Sequence, residues 1–215
     1  MLPNEGMYSI MERDRKESLA NSKQNELSFG AAWFYGFSGD VTGHNGWGGT
    51  VSFLFSPPAE AKYPDWRVRM GLELLVFHSN GSENKANLHI KESLDAGALN
   101  LMAGIYYTIP WKPLDHRVEV GAQVGFGLGG TFLETREDYA LGGHKVRRNG
   151  NIDWAMQVHP RVTFHITDHS NLTLGYRFGF ITPVLRTEGF MRHLTNYRTV
   201  DIVHQSLEAA FTVRF

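Results

Sequence analysis

The sequence predicts an all-β fold in which eight antiparallel strands, connected in up-and-down order, close into a single barrel. The first indication is a regular alternation of large apolar side chains with small or polar ones from Leu27 to Phe215. The second is composition, because 23 glycines and an aromatic content of 13% favour strands and turns over helices. The third is the length of 215 residues, which suits one closed β-structure of ordinary size.

Four predicted strands occupy the first half of the chain, and each has apolar side chains at every second position. They are ELSFGAAWFYGFS at residues 26–38, WGGTVSFLF at 47–55, DWRVRMGLELLVF at 65–77 and ALNLMAGIYYTI at 98–109. The apolar face of the first strand is predicted to carry Leu27, Phe29, Ala31, Trp33, Tyr35 and Phe37. The opposite face carries smaller residues such as Ser28 and Gly30, so the two faces are expected to meet different surroundings.

Four further strands complete the predicted barrel. They are HRVEVGAQVGFGLGG at residues 116–130, WAMQVHPRVTFHI at 154–166, NLTLGYRFGF at 171–180 and SLEAAFTVRF at 206–215. Pro160 lies on the apolar register of the sixth strand, where proline removes a donor from the ladder, so a bulge or a register change is expected after His159. The predicted organisation is a polar leader at residues 1–25, disordered or periplasmic, followed by the barrel at residues 26–215.

We call the strand face opposite the apolar one the minor face. Its residues indicate which face of the strands lines the barrel interior. Lysine is nearly absent from this face, which carries glycine, alanine, serine and threonine with a few charged residues of both signs. Small residues and compensating charges are typical of a narrow polar lumen, whereas a continuous apolar band is typical of a surface in contact with lipid. A soluble β-sandwich and a soluble ligand-binding barrel are the alternatives, and the second would place the apolar residues in its cavity.

Charged residues of the minor face form the predicted lumen network. Its members are Arg67, Arg69, Glu73, Glu119, Arg161, Arg177, Glu208 and Arg214, accompanied by His159, His165 and His204. Each charge in a narrow lumen must be paired or hydrated, so the network is predicted to fill the barrel as a set of salt bridges. A gated pore is the alternative, in which the excess of arginine over glutamate would favour anions.

Loop lengths and aromatic positions both favour a transmembrane barrel. If the first strand runs outward, the inner connections are residues 56–65, 110–116 and 167–170, and the outer ones are 39–46, 78–95, 134–153 and 183–201. Three of the outer connections are long and polar, which is typical of outer-membrane barrels. An aromatic belt is predicted at each membrane interface. The outer belt contains Trp33, Tyr35, Phe37, Trp47 and Trp154, and the inner belt contains Phe55, Trp66, Tyr107, Trp111, Phe164, Phe211 and Phe215.

The last segment, LEAAFTVRF, has Phe211, Val213 and Phe215 on one face and resembles the C-terminal signal of bacterial outer-membrane β-barrels. Residues 26–215 as a whole resemble the OmpA/OmpX-like eight-stranded barrels. The resemblance implies an integral protein of the bacterial outer membrane, inserted by the barrel-assembly machinery that reads this signal. It also implies contact with outer-membrane lipid, including lipopolysaccharide.

The expected role is structural or interactive, and the chain is expected to have no catalytic activity, cofactor or metal. One form of this role is an accessory subunit of a larger outer-membrane complex, with a protein partner on the outer loops. The formal net charge of -1 leaves no basic excess for binding nucleic acid. The histidines of the predicted loops show no spacing typical of a metal site; they include His44, His89, His144 and His193.

A lipid A-modifying enzyme is the alternative from a different class. Residues His78, Ser79 and Asn80 resemble the His-x-Ser-Asn active region of the lipid A deacylase PagL, but the spacing differs by one residue. Adjacent residues of a strand point to opposite faces, so His78 and Ser79 are not expected to meet as base and nucleophile. No set of His, Asp and Ser residues resembles a PagP-like acyltransferase. Either enzyme would need a histidine beside a serine or an aspartate at the outer lipid interface.

Overall fold

The computed structural model describes residues 25–39, 41, 43–57, 65–85, 87–109, 118–167, 169–184 and 201–215. These residues form eight strands: β1 (Asn25–Gly39), β2 (Asn45–Phe55), β3 (Trp66–Lys85), β4 (Leu88–Thr108), β5 (Val118–Tyr139), β6 (His144–His165), β7 (Ser170–Pro183) and β8 (Ile202–Arg214). Each strand pairs with its neighbours in chain order, and β1 pairs antiparallel with β8, so the sheet closes into a barrel. The predicted all-β architecture is confirmed. No helix among the described residues is long and apolar enough to span a membrane.

The ring closes at the inner end of the barrel, where the first and last described residues meet. The backbone nitrogen of Phe215 donates to the carbonyl of Asn25 at 3.1 Å, and the backbone nitrogen of Asn25 donates to the carbonyl of Phe215 at 3.3 Å. A complete ring leaves no edge strand within the barrel wall. Asn25 belongs to β1, one residue before the predicted start of the barrel. Residues 1–24 of the predicted leader lie outside the described residues.

Side chains alternate between the exterior and the interior along the strands. On β4, Leu101 is 68% exposed, whereas the adjacent Asn100 is 1% exposed. The exposed apolar side chains form a band around the exterior and include Phe29, Val51, Leu72, Leu101, Val124, Met156, Leu174 and Phe211. An apolar surface that encircles the whole molecule is far larger than the patches that soluble monomers expose.

Aromatic residues concentrate towards both ends of this band. At the outer end, the rings of Trp33 and Trp47 are 6.3 Å apart. At the inner end, Trp66 lies 4.9 Å from Tyr107. The predicted inner-belt residue Trp111 lies outside the described residues.

The prediction that Phe37 faces lipid is wrong. Its side chain is 4% exposed and lies in the barrel interior. The cause is a bulge in β1, because the register with β8 shifts between Tyr35 and Ser38. Gly36 within the bulge has φ of 64°, a left-handed conformation that favours glycine. One extra residue inverts the facing of every side chain beyond it.

The prediction of a bulge or register change at Pro160 is also wrong. The pairing of β6 with β7 is the same on both sides of this residue, since Val158 pairs with Phe178 and Arg161 pairs with Gly175. The ladder is interrupted at His159 and Pro160 without a shift of register. Proline therefore removes hydrogen bonds on one side, while its pairing with β5 continues through Ala122.

Two of the predicted outer loops are instead strands that continue beyond the apolar band. Predicted loop 78–95 is a hairpin in which β3 runs to Lys85 and β4 begins at Leu88. Predicted loop 134–153 is a hairpin in which β5 ends at Tyr139 and β6 begins at His144. We call residues 78–95 and 132–150, which form one four-stranded surface, the outer sheet. Both of its faces carry polar side chains, so the alternation that revealed the other strands is absent there.

Candidate functional site

The centre of the lumen holds a buried ion-pair cluster, the central charge cluster, formed by Arg177, Glu73, Glu208 and Gln157. The Arg177 guanidinium donates to the two Glu73 carboxylate oxygens at 2.5 and 3.0 Å and to Glu208 at 2.5 Å. Gln157 donates to Glu73 at 2.6 Å and accepts from Arg177. These side chains come from β7, β3, β8 and β6. The cluster therefore joins opposite walls of the barrel.

A second group, the inner charge cluster, lies closer to the chain ends and contains Arg69, Glu119, Glu26 and Arg214. Arg69 forms a bidentate pair with Glu119 at 2.5 and 2.8 Å and approaches Glu26 to 3.2 Å. Arg214 donates to Glu26 at 2.7 Å. The Arg69 guanidinium also lies 4.2 Å from the ring centre of Tyr106. Bidentate pairing and ring stacking are the contacts for which arginine is best suited.

The sequence analysis missed Glu26, which balances much of the predicted arginine excess. Glu26 could have been predicted as a lumen residue, because it lies on the same strand face as Ser28. Of the other predicted network members, Arg161 is buried and donates to Gln123 at 3.1 Å. Arg67 lies half-buried at the inner end of β3. With Glu26 included, the lumen set contains five arginines and four glutamates.

The lumen histidines lie in different surroundings. His159 and His204 are buried, and His165 is half-buried with its Nδ1 at 2.7 Å from Asn171 Oδ1. His159, Glu73 and Glu208 place one possible metal ligand atom each within 4.8 Å of one another. The Arg177 guanidinium, however, pairs with both carboxylates and already supplies a positive charge beside them. The arrangement is an arginine-centred charge cluster.

Above the central charge cluster the lumen is filled by apolar side chains, which we call the apolar plug. Its buried members include Phe34, Phe37, Leu75, Phe77, Leu94, Leu133 and Ile202. Phe34 and Phe77 stack with ring centres 4.3 Å apart, and the His204 ring packs against Phe77 at 5.3 Å. The expectation of a wholly polar lumen is therefore wrong at the outer end. In the segment LELLVF of β3, consecutive residues are apolar, so both faces of the strand carry apolar side chains. This pattern could have predicted the apolar plug.

A chain of polar contacts lies beside the plug. His44 Nδ1 is 3.2 Å from Ser79 Oγ, and His44 Nε2 is 3.3 Å from Glu92 Oε2. Thr135 donates to the second Glu92 oxygen at 3.3 Å. The order serine, histidine and carboxylate is the order found in serine hydrolases, but Ser79 is 0% exposed and cannot reach a substrate. These contacts join His44, which precedes β2, to the β3–β4 hairpin and to β5.

The exterior side of the same hairpin carries His78 at the outer end of the apolar band. His78 Nδ1 lies 2.7 Å from Asp95 Oδ1, and Asn80 Nδ2 lies 3.0 Å from His78 Nε2. His78 and Ser79 therefore face opposite sides of the barrel wall. Of the other predicted loop histidines, His89 contacts Asn84 on the outer sheet.

The other two predicted loop histidines have separate places. His144 begins β6, and His193 lies outside the described residues.

The three residues of the predicted assembly signal lie on the exterior of β8. Phe211, Val213 and Phe215 are exposed, and the Phe215 ring lies 6.3 Å from that of Phe53. They form an apolar ridge at the inner end of the band, next to the seam between β8 and β1.

The chain matches no protein-family model and no curated protein. It is similar to several solved structures. Neisserial surface protein A (NspA) shares 17% identity over 89% of this chain and 97% of that chain, with a TM-score of 0.41. Ail, the attachment invasion locus protein of Yersinia pestis, shares 12% identity over 90% and 99%, with a TM-score of 0.44. The outer membrane protein OprG from Pseudomonas aeruginosa shares 12% identity over 91% and 98%, with a TM-score of 0.39.

The geometry of the barrel itself indicates its surroundings. Hydrocarbon offers no hydrogen-bond partner to a backbone, so a β-sheet can cross a membrane only as a closed ring. Here a closed ring carries an apolar band on its exterior and paired charges in its interior. The chain is therefore a small eight-stranded integral membrane β-barrel, the architecture of the outer-membrane proteins to which it is similar.

Proposed function

We propose that this barrel is a structural, non-conducting protein that presents its outer sheet to a protein partner. The observation that carries the proposal is the continuation of four strands beyond the apolar band. β3, β4, β5 and β6 contain 20, 21, 22 and 22 residues, whereas β2 contains 11. A membrane-spanning strand needs only about 9 to 11 residues, so the excess length serves something outside the membrane.

The contents of the lumen support the non-conducting part of the proposal. An ion entering from outside would meet the apolar plug, where the Phe34 and Phe77 rings stack, and would lose its hydration there. Beyond the plug it would meet Arg177, which is held by two carboxylates from different strands. Eight strands leave an interior that side chains can fill.

The edges of the outer sheet support the interaction part. The pairing of β2 with β3 ends at Asn45 and Asn80, so among the described residues 81–85 pair only with β4. The pairing of β7 with β6 ends at Pro183 and Asp153, Val184 N donates to the Ile152 carbonyl, and the described residues 144–151 pair only with β5. Exposed strand edges offer backbone donors and acceptors to a strand of another chain. An accessory subunit of an outer-membrane complex would use such an edge.

A lipid A-modifying enzyme is the second candidate, because one observation favours it. His78 and Asp95 form a histidine–aspartate pair at the outer lipid interface. The serine next to His78 faces the interior, and the pair therefore has no adjacent nucleophile in Ser79. A binding role for the pair accounts for its position without a reaction.

Photo-crosslinking in intact cells tests the proposed function. A photoreactive residue replaces Glu83 on the β3 edge, and the matched control places it at Ala103, which faces lipid on β4. We expect a discrete protein adduct from position 83 and none from position 103. If cells containing the folded barrel give no protein adduct from position 83, or the same adducts from both positions, the interaction role is wrong.

A further inference from the structure

Among the described residues, a shallow groove of about 650 Å³ lies on the exterior of the barrel, at the outer end of the apolar band. It crosses β2, β3, β4 and β5, and its lining includes Trp47, Val76, Gly97, Gly130 and Phe132. Val76 pairs with Gly97, and Gly97 pairs with Gly130, so these residues form one row across three strands. The groove therefore lies on the surface that faces the membrane.

Two glycines create this groove by leaving out side chains that the rest of the band has. Towards the inner end of β4, the next exterior residues are Leu99 and Leu101, which are 54% and 68% exposed. A Cβ atom at Gly97 would approach Val76 Cγ1 to 3.5 Å, and one at Gly130 would approach the Asn151 carbonyl to 3.3 Å. A side chain at Gly97 would therefore make only ordinary van der Waals contact, whereas one at Gly130 would be tight against a backbone carbonyl. The space that the two glycines leave is open to the lipid phase.

The outer end of the groove is polar. His78 and Asp95 line it, and their side chains lie in one row between Trp47 and Phe132. The His78–Asp95 contact is 2.7 Å, and the two side chains are 53% and 60% exposed. Asn80 extends this polar end by its contact with His78 at 3.0 Å. A hydrogen-bonding end joined to an apolar floor matches a ligand with a polar head and an alkyl chain.

The charges above the groove indicate the kind of head group. Lys91, Arg136 and Arg148 lie on the same exterior face, on the strands β4, β5 and β6. Arg136 pairs with Asp138 at 2.9 Å, and Arg148 pairs with Glu134 at 2.7 Å. Hydrogen-bond donors for hydroxyl and phosphate groups extend from His78 on β3 to Arg148 on β6, across four strands. This span suits a phosphorylated sugar better than the compact head group of a phospholipid.

We propose that the groove binds one acyl chain of lipid A, with the phosphorylated sugar head against His78, Asp95 and the cations above them. The lipid comes from the outer leaflet, because the groove lies at the outer end of the band. The glycine floor contacts the alkyl chain, and the His78–Asp95 pair orients the head group. The site needs no reaction. Its head-group residues lie on the exterior face of the outer sheet, whereas the proposed protein partner pairs with the strand edges of that sheet.

Native mass spectrometry with defined lipids tests this site. Folded protein, checked by its heat-modifiable migration on gels, is incubated with lipid A or with phosphatidylethanolamine at equal concentration in the same detergent. We expect wild type to retain one lipid A per barrel and to retain phosphatidylethanolamine about tenfold less. The variant carrying both Gly97→Leu and Gly130→Leu fills the groove and should lower lipid A retention by about tenfold or more. Gly97→Leu alone is the second variant, used if the double variant does not fold.

The matched control is Ala103→Leu, which adds the same side chain on the same face of β4 but outside the groove. It should retain lipid A as wild type does. Substitution of His78 by Ala should reduce retention of lipid A by several-fold, while leaving that of phosphatidylethanolamine unchanged. The site is wrong if the groove-filling variants retain lipid A like wild type, or if wild type holds both lipids equally or neither.

Discussion

Arg177 on β7 reaches across the lumen to Glu73 on β3, and the two side chains meet at 2.5 Å with almost no exposure to solvent. The strands β3 and β7 lie opposite each other in the ring of eight. This contact connects parts of the wall that backbone hydrogen bonds do not join, whereas Glu208 lies on β8, the hydrogen-bonded neighbour of β7. The Arg177–Glu73 pair is thus a structural strut across the lumen. Its removal should lower the stability of the whole barrel.

Substitution Arg177→Met should reduce the free energy of unfolding by about 3 to 5 kcal/mol, because it leaves Glu73 and Glu208 buried without their cation. The measurement is urea unfolding of the folded barrel in phospholipid vesicles. The control is Arg148→Met, which breaks an exposed pair with Glu134 on the outer sheet and should change little. Equal effects from the two substitutions would show that Arg177 is not a strut.

The wild-type barrel should give no conductance steps in a planar lipid bilayer. The reason is that the apolar plug and the central charge cluster both lie across the lumen. Protein whose folding is verified on unboiled gels is added to the bilayer, and a known porin serves as the positive control. Reproducible single-channel steps from the pure protein would contradict the plugged lumen and favour the gated pore.

Substitution Gly36→Ala should destabilise the barrel by about 1 to 2 kcal/mol, because φ of 64° is unfavourable for a residue with a side chain. The added Cβ would also approach Gln205 Cδ to 3.2 Å. The matched control is Gly49→Ala on β2, where φ is not in the left-handed region and the nearest atom is 3.4 Å away. Thermal unfolding in detergent compares the two. A Gly36→Ala protein as stable as the control would mean that the β1 bulge does not need glycine.

Cells with and without the gene should contain lipid A of the same mass. This follows if His78 and Asp95 bind a head group and do not cleave or transfer an acyl chain. Mass spectrometry of extracted lipid A makes the comparison, with a His78→Ala strain as a second reference. A mass difference of one acyl chain that disappears in the His78→Ala strain would establish the enzyme in place of the binding role.

The architecture was predictable because a two-residue period survives wherever one face of a strand meets lipid and the other meets a polar lumen. This holds for β4 from Leu99 to Thr108 and for β8 from Ser206 onward. It fails in the outer part of the outer sheet, at residues 82–92 and 136–148, where no described side chain is buried and no period distinguishes a strand from a polar loop. It also fails after Gly36, since a single bulge reverses the pattern and places Phe37 inside.

The candidate site was only partly predictable for a related reason. The strand face on which a side chain lies can be predicted from the sequence. The arginines and glutamates of the lumen could therefore be named before their partners were known. Partners depend on which strands lie opposite each other, and the contact of Arg177 with Glu73 joins residues 104 positions apart. The groove at Gly97 and Gly130 could not be predicted from the sequence, because it depends on the pairing register of three strands. No local pattern marks such a row.

The central claim is that the apolar band faces lipid while the paired charges fill the interior, and Leu101→Arg tests it most directly. Leu101 lies near the middle of the exterior band on β4, and the matched interior change is Ala210→Ser on β8. The free energy of unfolding is measured for both in phospholipid vesicles. We expect Leu101→Arg to cost about 2 to 4 kcal/mol, because it places a charge near the bilayer midplane. We expect Ala210→Ser, a small polar change inside the lumen, to leave the free energy nearly unchanged. If Leu101→Arg costs no more than Ala210→Ser, the exterior does not face hydrocarbon and the assignment of the two faces is wrong.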